Sequence, residues 1–310
     1  MPGVVAGMER HQVAVYLGAL TAGGAAGWAV PAAAPWLEHA INPLLAVLLY
    51  VTFLQVPVAE LGRSLRAGRF LAAALVVNFA VVPLLVAAMT AVLPADRAVR
   101  LGVLLVLLSP CVDYVIVFSG LAGGDSRRLL AATPLLLIAQ VVLLPGYLLL
   151  LLGPGLADVV EPGPFVQAFV VLVVLPLALA WLTQRRTRLT EVMSTTMVPL
   201  MAATLFAVVA SQVPRLGGDL PQVARVVPVY VVFLVVMAFA GLAVARAFRL
   251  DVASGRAIVF TGATRNSLVV LPLALAVPGD LAAAVVVTQT LVEVVGMVVY
   301  VKVVPRLIVQ

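Results

Sequence analysis

Apolar positions in this chain do not alternate with polar ones at a strand's period, nor do they form one stripe of an amphipathic helix. They come in runs of about 20 residues separated by short polar punctuation. A bilayer core about 30 Å thick needs roughly 20 apolar residues per helix, so each run predicts a membrane-crossing helix. Ten runs stand out, at about 11–34, 40–59, 70–93, 99–122, 128–152, 164–183, 193–214, 226–245, 256–277 and 281–301. The loops between them are short and hold Pro, Gly and charge. This predicts an all-α membrane protein with a single domain over residues 1–310. The first run is long, includes Gly23 and Gly24, and lacks a small-residue cleavage site before the next run, so it reads as a span rather than a cleaved leader.

Composition agrees with the pattern. Of 310 residues, 64% are hydrophobic and 10% charged, where a soluble domain carries about 25% charged residues. The net charge of +6 is explained by where the charges fall. With ten spans and a cytoplasmic N-terminus, 14 of the 19 Lys and Arg residues lie in inner loops or termini. Arg97, Arg100, Arg215 and Arg225 lie outside, and Arg265 sits within a span. The positive-inside rule thus accounts for the basicity without a nucleic-acid partner. The expectation is a multi-pass plasma-membrane protein with both termini in the cytoplasm. A single cysteine, Cys111, excludes an intrachain disulfide.

The chain reads as two copies of one unit. Gly124-Asp125 closes the fourth run and Gly279-Asp280 follows the ninth, 155 residues later. Gln55-Val56-Pro57 ends the second and Gln212-Val213-Pro214 the seventh, 157 residues later. These matches predict a repeat over about 11–152 and another over about 164–301, with five spans each. Five is odd, so the second copy enters the membrane from the opposite face, an inverted repeat of the transporter kind. Such proteins bind near mid-membrane at discontinuous helices. The fourth run is broken at Ser109-Pro110-Cys111, because proline lacks the N–H donor and clashes with the preceding turn. The same offset leads to Thr264-Arg265-Asn266, within the small and polar stretch TGATRNS. Spans 4 and 9 are therefore expected to be discontinuous and to cross.

The stretch SPCVDYVIVFSGLAGGD, residues 109–125, resembles the fourth span of arsenite efflux permeases in the bile acid:sodium symporter superfamily. TGATRNSLVVLPLALAVPGD resembles their ninth span and QTLVEVVGMVVYV their tenth. The resemblance implies a panel and a core domain around two crossing broken helices, and transport roles for Cys111 and Glu293. Where that family's ninth span usually has an Asn-Asn pair followed shortly by a glutamate, this chain has Arg265-Asn266 and then Ser267-Leu268. That glutamate helps hold sodium in the symporter branch, so the departure favours H+ over Na+ as the coupling ion. The 155-residue offset from Leu268 leads back to Asp113, which places the acid on the symmetry-related span.

An ionisable residue inside a span is costly and is a functional candidate by default. There are three, Asp113, Arg265 and Glu293. Arg265 stays protonated, so charge counting pairs one acid with it and leaves the other for a proton or cation; Asp113 and Arg265 are read as the pair and Glu293 as the free acid. Gln289 lies four residues before Glu293 on the same helix face, and Gly296 three after it. Cys111 reads either as a small packed hydrophobe or as a soft ligand for trivalent arsenic. Ser109, Thr264 and Asn266 are placed to bond a substrate's hydroxyls, and Asn78 is a further cavity-lining candidate. His11 and His39 lack partners at ligand spacing, so no metal site is expected. There is no Gly-Lys-Ser/Thr phosphate loop, and no cofactor is expected. Enzyme chemistry at Cys111 would need a base, and no histidine is expected within the membrane, since His11 and His39 fall near its surfaces. The leading reading is proton-coupled efflux of arsenite or a related oxyacid. The alternative is a sodium- or proton-coupled carrier of a small organic anion, held by Arg265.

Overall fold

The computed structural model describes residues 11–54, 68–111, 114–153, 170–184, 195–279 and 281–308, with isolated positions at 163, 167 and 193. These residues are helical apart from short breaks. That is what a hydrocarbon environment demands of a backbone with no water to bond. α1 (Gln12–Ala29) stops short of the predicted span, because Pro31 opens a 3-10 turn over Pro31–Ala33. α2 (Ala34–Leu54) starts at once and contains Pro43. α3 (Gly68–Val76) passes through a π-helical segment, Val77–Val81, into α4 (Val82–Met89). α5 (Arg97–Leu107) and α6 (Tyr114–Leu121) make up the fourth run, and α7 (Ser126–Leu152) the fifth.

A second π-helical segment, Val170–Val174, leads into α8 (Leu175–Thr183). Both π segments are followed by a proline at the second helical position, Pro83 and Pro176. A proline removes one i→i−4 donor, and a widened turn is one way to absorb the loss. α9 (Met197–Gln212) turns through the 3-10 segment Val213–Arg215 into α10 (Leu216–Ala247). This corrects one expectation: the loop expected between the runs 193–214 and 226–245 is helical from Leu216 on, through Gly217-Gly218 and Pro221. α11 (Val252–Ala263) and α12 (Ser267–Leu275) form the ninth run, and α13 (Leu281–Leu307) the tenth.

Among the described residues, four helical stretches are each long and apolar enough to cross a membrane, Gly68–Val92, Leu135–Leu152, Pro221–Ala247 and Leu281–Leu307. Pro31–Ile41 and Pro43–Leu54, bent by 43° at their junction, pass the same test when counted as one span. The chain is a multi-pass, all-helical membrane protein. Its helices pack in two groups. α1, α2, α8 and α9 form one, and α5–α7 and α10–α13, with α3 and α4, form the other. In the first group Gly23 and Gly27 face α9 so closely that an added Cβ would lie 2.8 Å from Phe206 O and 2.6 Å from Ala210 O. Only glycine permits that approach, the usual way to bring helices together where lipid supplies no hydrophobic drive.

In the second group the helix ends are clasped by charge. Arg256 donates to the carbonyls of Ala122 at 3.1 Å and Ile308 at 2.9 Å, tying α6 and α13 to α11. Arg128 of α7 bonds Asp251 at 3.0 Å and Ser254 at 2.6 Å. Asp251 caps α11 by accepting from Ser254 N at 2.9 Å, and that hydrogen bond, helped by Arg128, holds its carboxyl below the usual range.

Candidate functional site

The two interrupted runs meet at their interruptions. α5 ends at Leu107 and α11 at Ala263, and between them Pro110 and Arg265 form an antiparallel backbone bridge. Cys111 N donates to Thr264 O at 3.2 Å, and Asn266 N donates to Ser109 O at 2.8 Å. This pattern is that of a non-hydrogen-bonded pair in an antiparallel ladder, so the N–H positions of residues 110 and 265 take no part. Pro110, with no N–H to give, therefore costs the bridge nothing. The unused N–H of Arg265 goes instead to Glu293 Oε2 at 2.8 Å.

Each break is closed locally by short polar side chains. Ser109 Oγ bonds Leu105 O and Thr264 Oγ1 bonds Phe260 O, both at 2.8 Å, so the last turns of α5 and α11 keep their carbonyls satisfied. Asn266 caps α12 by accepting from Val269 N at 3.2 Å. Its Nδ2, fully enclosed, has no hydrogen-bond partner among the described residues.

The Arg265 side chain is completely buried. Its Nη2 donates to Asn78 Oδ1 at 2.8 Å, Thr261 O at 2.7 Å and Gly262 O at 2.8 Å, and its Nη1 to Leu107 O at 3.2 Å. The guanidinium carbon lies 5.7 Å from the centre of the Phe233 ring, within cation–π range. Asn78 is carried by the π segment between α3 and α4, and its Nδ2 bonds Ala74 O at 3.0 Å and Thr261 Oγ1 at 3.2 Å. π segments recur at functional sites because they turn one side chain out of the regular helical register.

Of the residues singled out from the sequence, Ser109, Cys111, Thr264, Arg265, Asn266, Gln289, Glu293 and Asn78 converge on this crossing. Asp113 lies outside the described residues. Glu293 is fully buried on α13, and Gln289 Nε2 donates to its Oε2 in a short contact. Glu293 is thus joined to the ninth-run break itself rather than standing apart from it, as charge counting had suggested. Gln289 Oε1 is buried without a hydrogen-bond partner among the described residues. Cys111 is enclosed at the bridge with no exposed surface. Phe233, Thr261 and the carbonyls of Leu107 and Gly262 belong to the site and escaped the sequence reading. Only Thr261, in TGATRNS, left a visible trace.

Several of these features recur at one spacing. Asp96 caps α5 through Val99 N at 3.0 Å as Asp251 caps α11, 155 residues later. Ser109 corresponds to Thr264, Pro110 to Arg265 and Cys111 to Asn266 at the same offset, so the two bridge hydrogen bonds are exchanged by it. Broken helices that cross with a buried acid and a buried base are the architecture of a membrane transporter. Residues 42–216, more than half of the chain, match the Sodium Bile acid symporter family, and the chain belongs to that family. It is a secondary transporter and not an enzyme. A search of curated proteins finds no match.

Proposed function

We propose that this protein is a plasma-membrane carrier that moves a small organic anion together with a proton carried by Glu293. The carrying observation is the main-chain bond from Arg265 to the buried carboxylate of Glu293, which couples the acid to the crossing. With Glu293 ionised, its charge offsets that of Arg265. Protonation of Glu293 removes one negative charge from beside Arg265 and the N-terminal end of α12, which makes the crossing more favourable for an anion. Proton uptake and anion binding thus promote each other. Arg265 acts through its charge, with Nη1 and Nη2 donating to protein oxygens rather than to the cargo. Asn266 Nδ2 and Gln289 Oε1, without a partner among the described residues, bond the cargo when the crossing opens.

The recurrence of caps, breaks and bridge at a 155-residue spacing supports a ten-span, inverted 5+5 repeat with both termini in the cytoplasm. Efflux of arsenite is the second reading, favoured by one observation, the enclosed Cys111 thiol at the bridge. Flux into proteoliposomes separates the two. A labelled bile acid, a small alkanesulfonate and arsenite are compared under imposed pH and sodium gradients. Organic-anion uptake driven by the pH gradient, retained in Cys111→Ser and lost to background in Glu293→Gln, is the expected result. Arsenite flux that disappears in Cys111→Ser, with no organic-anion flux, overturns it in favour of the second reading.

A further inference from the structure

We infer that Arg265 is a resident cation, whose guanidinium fills an oxygen-lined cage that would otherwise take a monovalent cation from solution, so that this transporter does not use sodium. The inference rests on the ion-coupled reading above. Three of the cage oxygens are main-chain carbonyls near the C-terminal ends of the broken helices α5 and α11, from Leu107, Thr261 and Gly262, and the fourth is the amide oxygen of Asn78. Carbonyl and amide oxygens are ligands for hard cations. The C-terminal ends of helices also carry partial negative charge, which strengthens the preference. The Phe233 face adds a cation-attracting wall at 5.7 Å.

A helix interruption usually leaves such carbonyls for water or an ion. Here the chain supplies the ion from its own sequence. A guanidinium cannot lose its proton at any physiological pH, and it is tethered by its own backbone, so it does not exchange with the medium. A cage so filled gives a sodium gradient nothing to act on. The exchangeable charge is then the proton at Glu293, which accepts from the same residue's N–H at 2.8 Å.

The test measures binding and needs no knowledge of the cargo. Purified wild-type protein in nanodiscs is titrated with labelled sodium, and Arg265→Ala is titrated with sodium, potassium and guanidinium while its thermal midpoint is followed. The wild type should show no saturable sodium binding and no change of midpoint with sodium. Arg265→Ala should start from a lower midpoint that rises in a saturable way with low-millimolar guanidinium or an alkali cation, and not with urea or choline at the same concentration. Stoichiometric sodium binding by the wild type overturns the inference without any variant, as does an Arg265→Ala protein that folds but responds to none of the cations. If pH-driven anion flux persists while these results go against it, the resident cation fails alone. If no organic anion moves at all, the binding results still decide the cage.

Discussion

Where α1 meets α9, Gly23 and Gly27 bring two backbones together by leaving out side chains. Where α5–α6 meets α11–α12, backbones also touch, but through two main-chain hydrogen bonds ringed by Asn78, Arg265, Gln289 and Glu293. The first contact depends on size alone and is blind to pH and ions. The second depends on how its buried donors and acceptors are matched, because an unmatched one in low dielectric is costly. The protein therefore keeps its passive seam in one helix group and its chemically responsive one in the other. A transporter that rocks one group against the other needs that separation.

The largest contrast comes from deleting the charge at the crossing. Arg265→Met leaves four oxygens and Glu293 without the guanidinium, and should lower stability by about 3–5 kcal/mol, as for other broken buried pairs. Unfolding of the detergent-solubilised variant measures it, and a loss no larger than that of a surface mutation would show that the crossing is not held by Arg265. Overfilling the passive seam should do less. Gly27→Val forces a Cβ into the space beside Ala210 O, and core overpacking typically costs about 1–3 kcal/mol. The folded fraction of that variant should keep its pH-driven flux, and a loss of flux per folded molecule would mean that the α1–α9 seam moves during transport.

The smallest effects lie at the caps that begin each broken helix. Asp96→Ala and Asp251→Ala each remove an N-cap, worth about 1 kcal/mol, and the loss at Asp251 should be the larger because its carboxylate also bonds Ser254 Oγ and Arg128. The Asp251 carboxyl is held below its ordinary value by the Ser254 N–H first, then by its partners Ser254 Oγ and Arg128. Its contribution is therefore fully present above the carboxylate's unfolded value near 4 and fades as pH falls through the lower folded value. The Asp251→Ala difference from wild type should shrink in strong acid, and a difference that grows there would contradict the assignment.

Much of the crossing was legible because its sequence is anomalous. Pro110 in an apolar run and TGATRNS in another mark breaks wherever they fall, and the 155-residue offset between them says that the breaks correspond. Asn78 was harder to place. It lies 187 residues from Arg265 in sequence, and its reach depends on a π segment whose cause is a proline five residues later. The cage carbonyls were illegible in principle, since a main-chain oxygen has no letter of its own. The start of α10 was misread because Gly217-Gly218 and Pro221 are locally turn-forming. The 3-10 segment Val213–Arg215 leads straight into the helix, which carries these residues within it.

The bridge between Pro110 and Arg265 also sets a grammar for substitution. Its two bonds use the N–H groups of Cys111 and Asn266 and the carbonyls of Ser109 and Thr264, which every amino acid but proline supplies alike. Side chains at the joint can therefore be rewritten while the joint keeps its shape. Proline breaks the ladder only at 111 and 266, where each occurrence would erase one of the two bonds; at 265 it would spare the ladder but erase the bond to Glu293. At 110 the ladder asks nothing of the N–H, and the chain has already put a proline there.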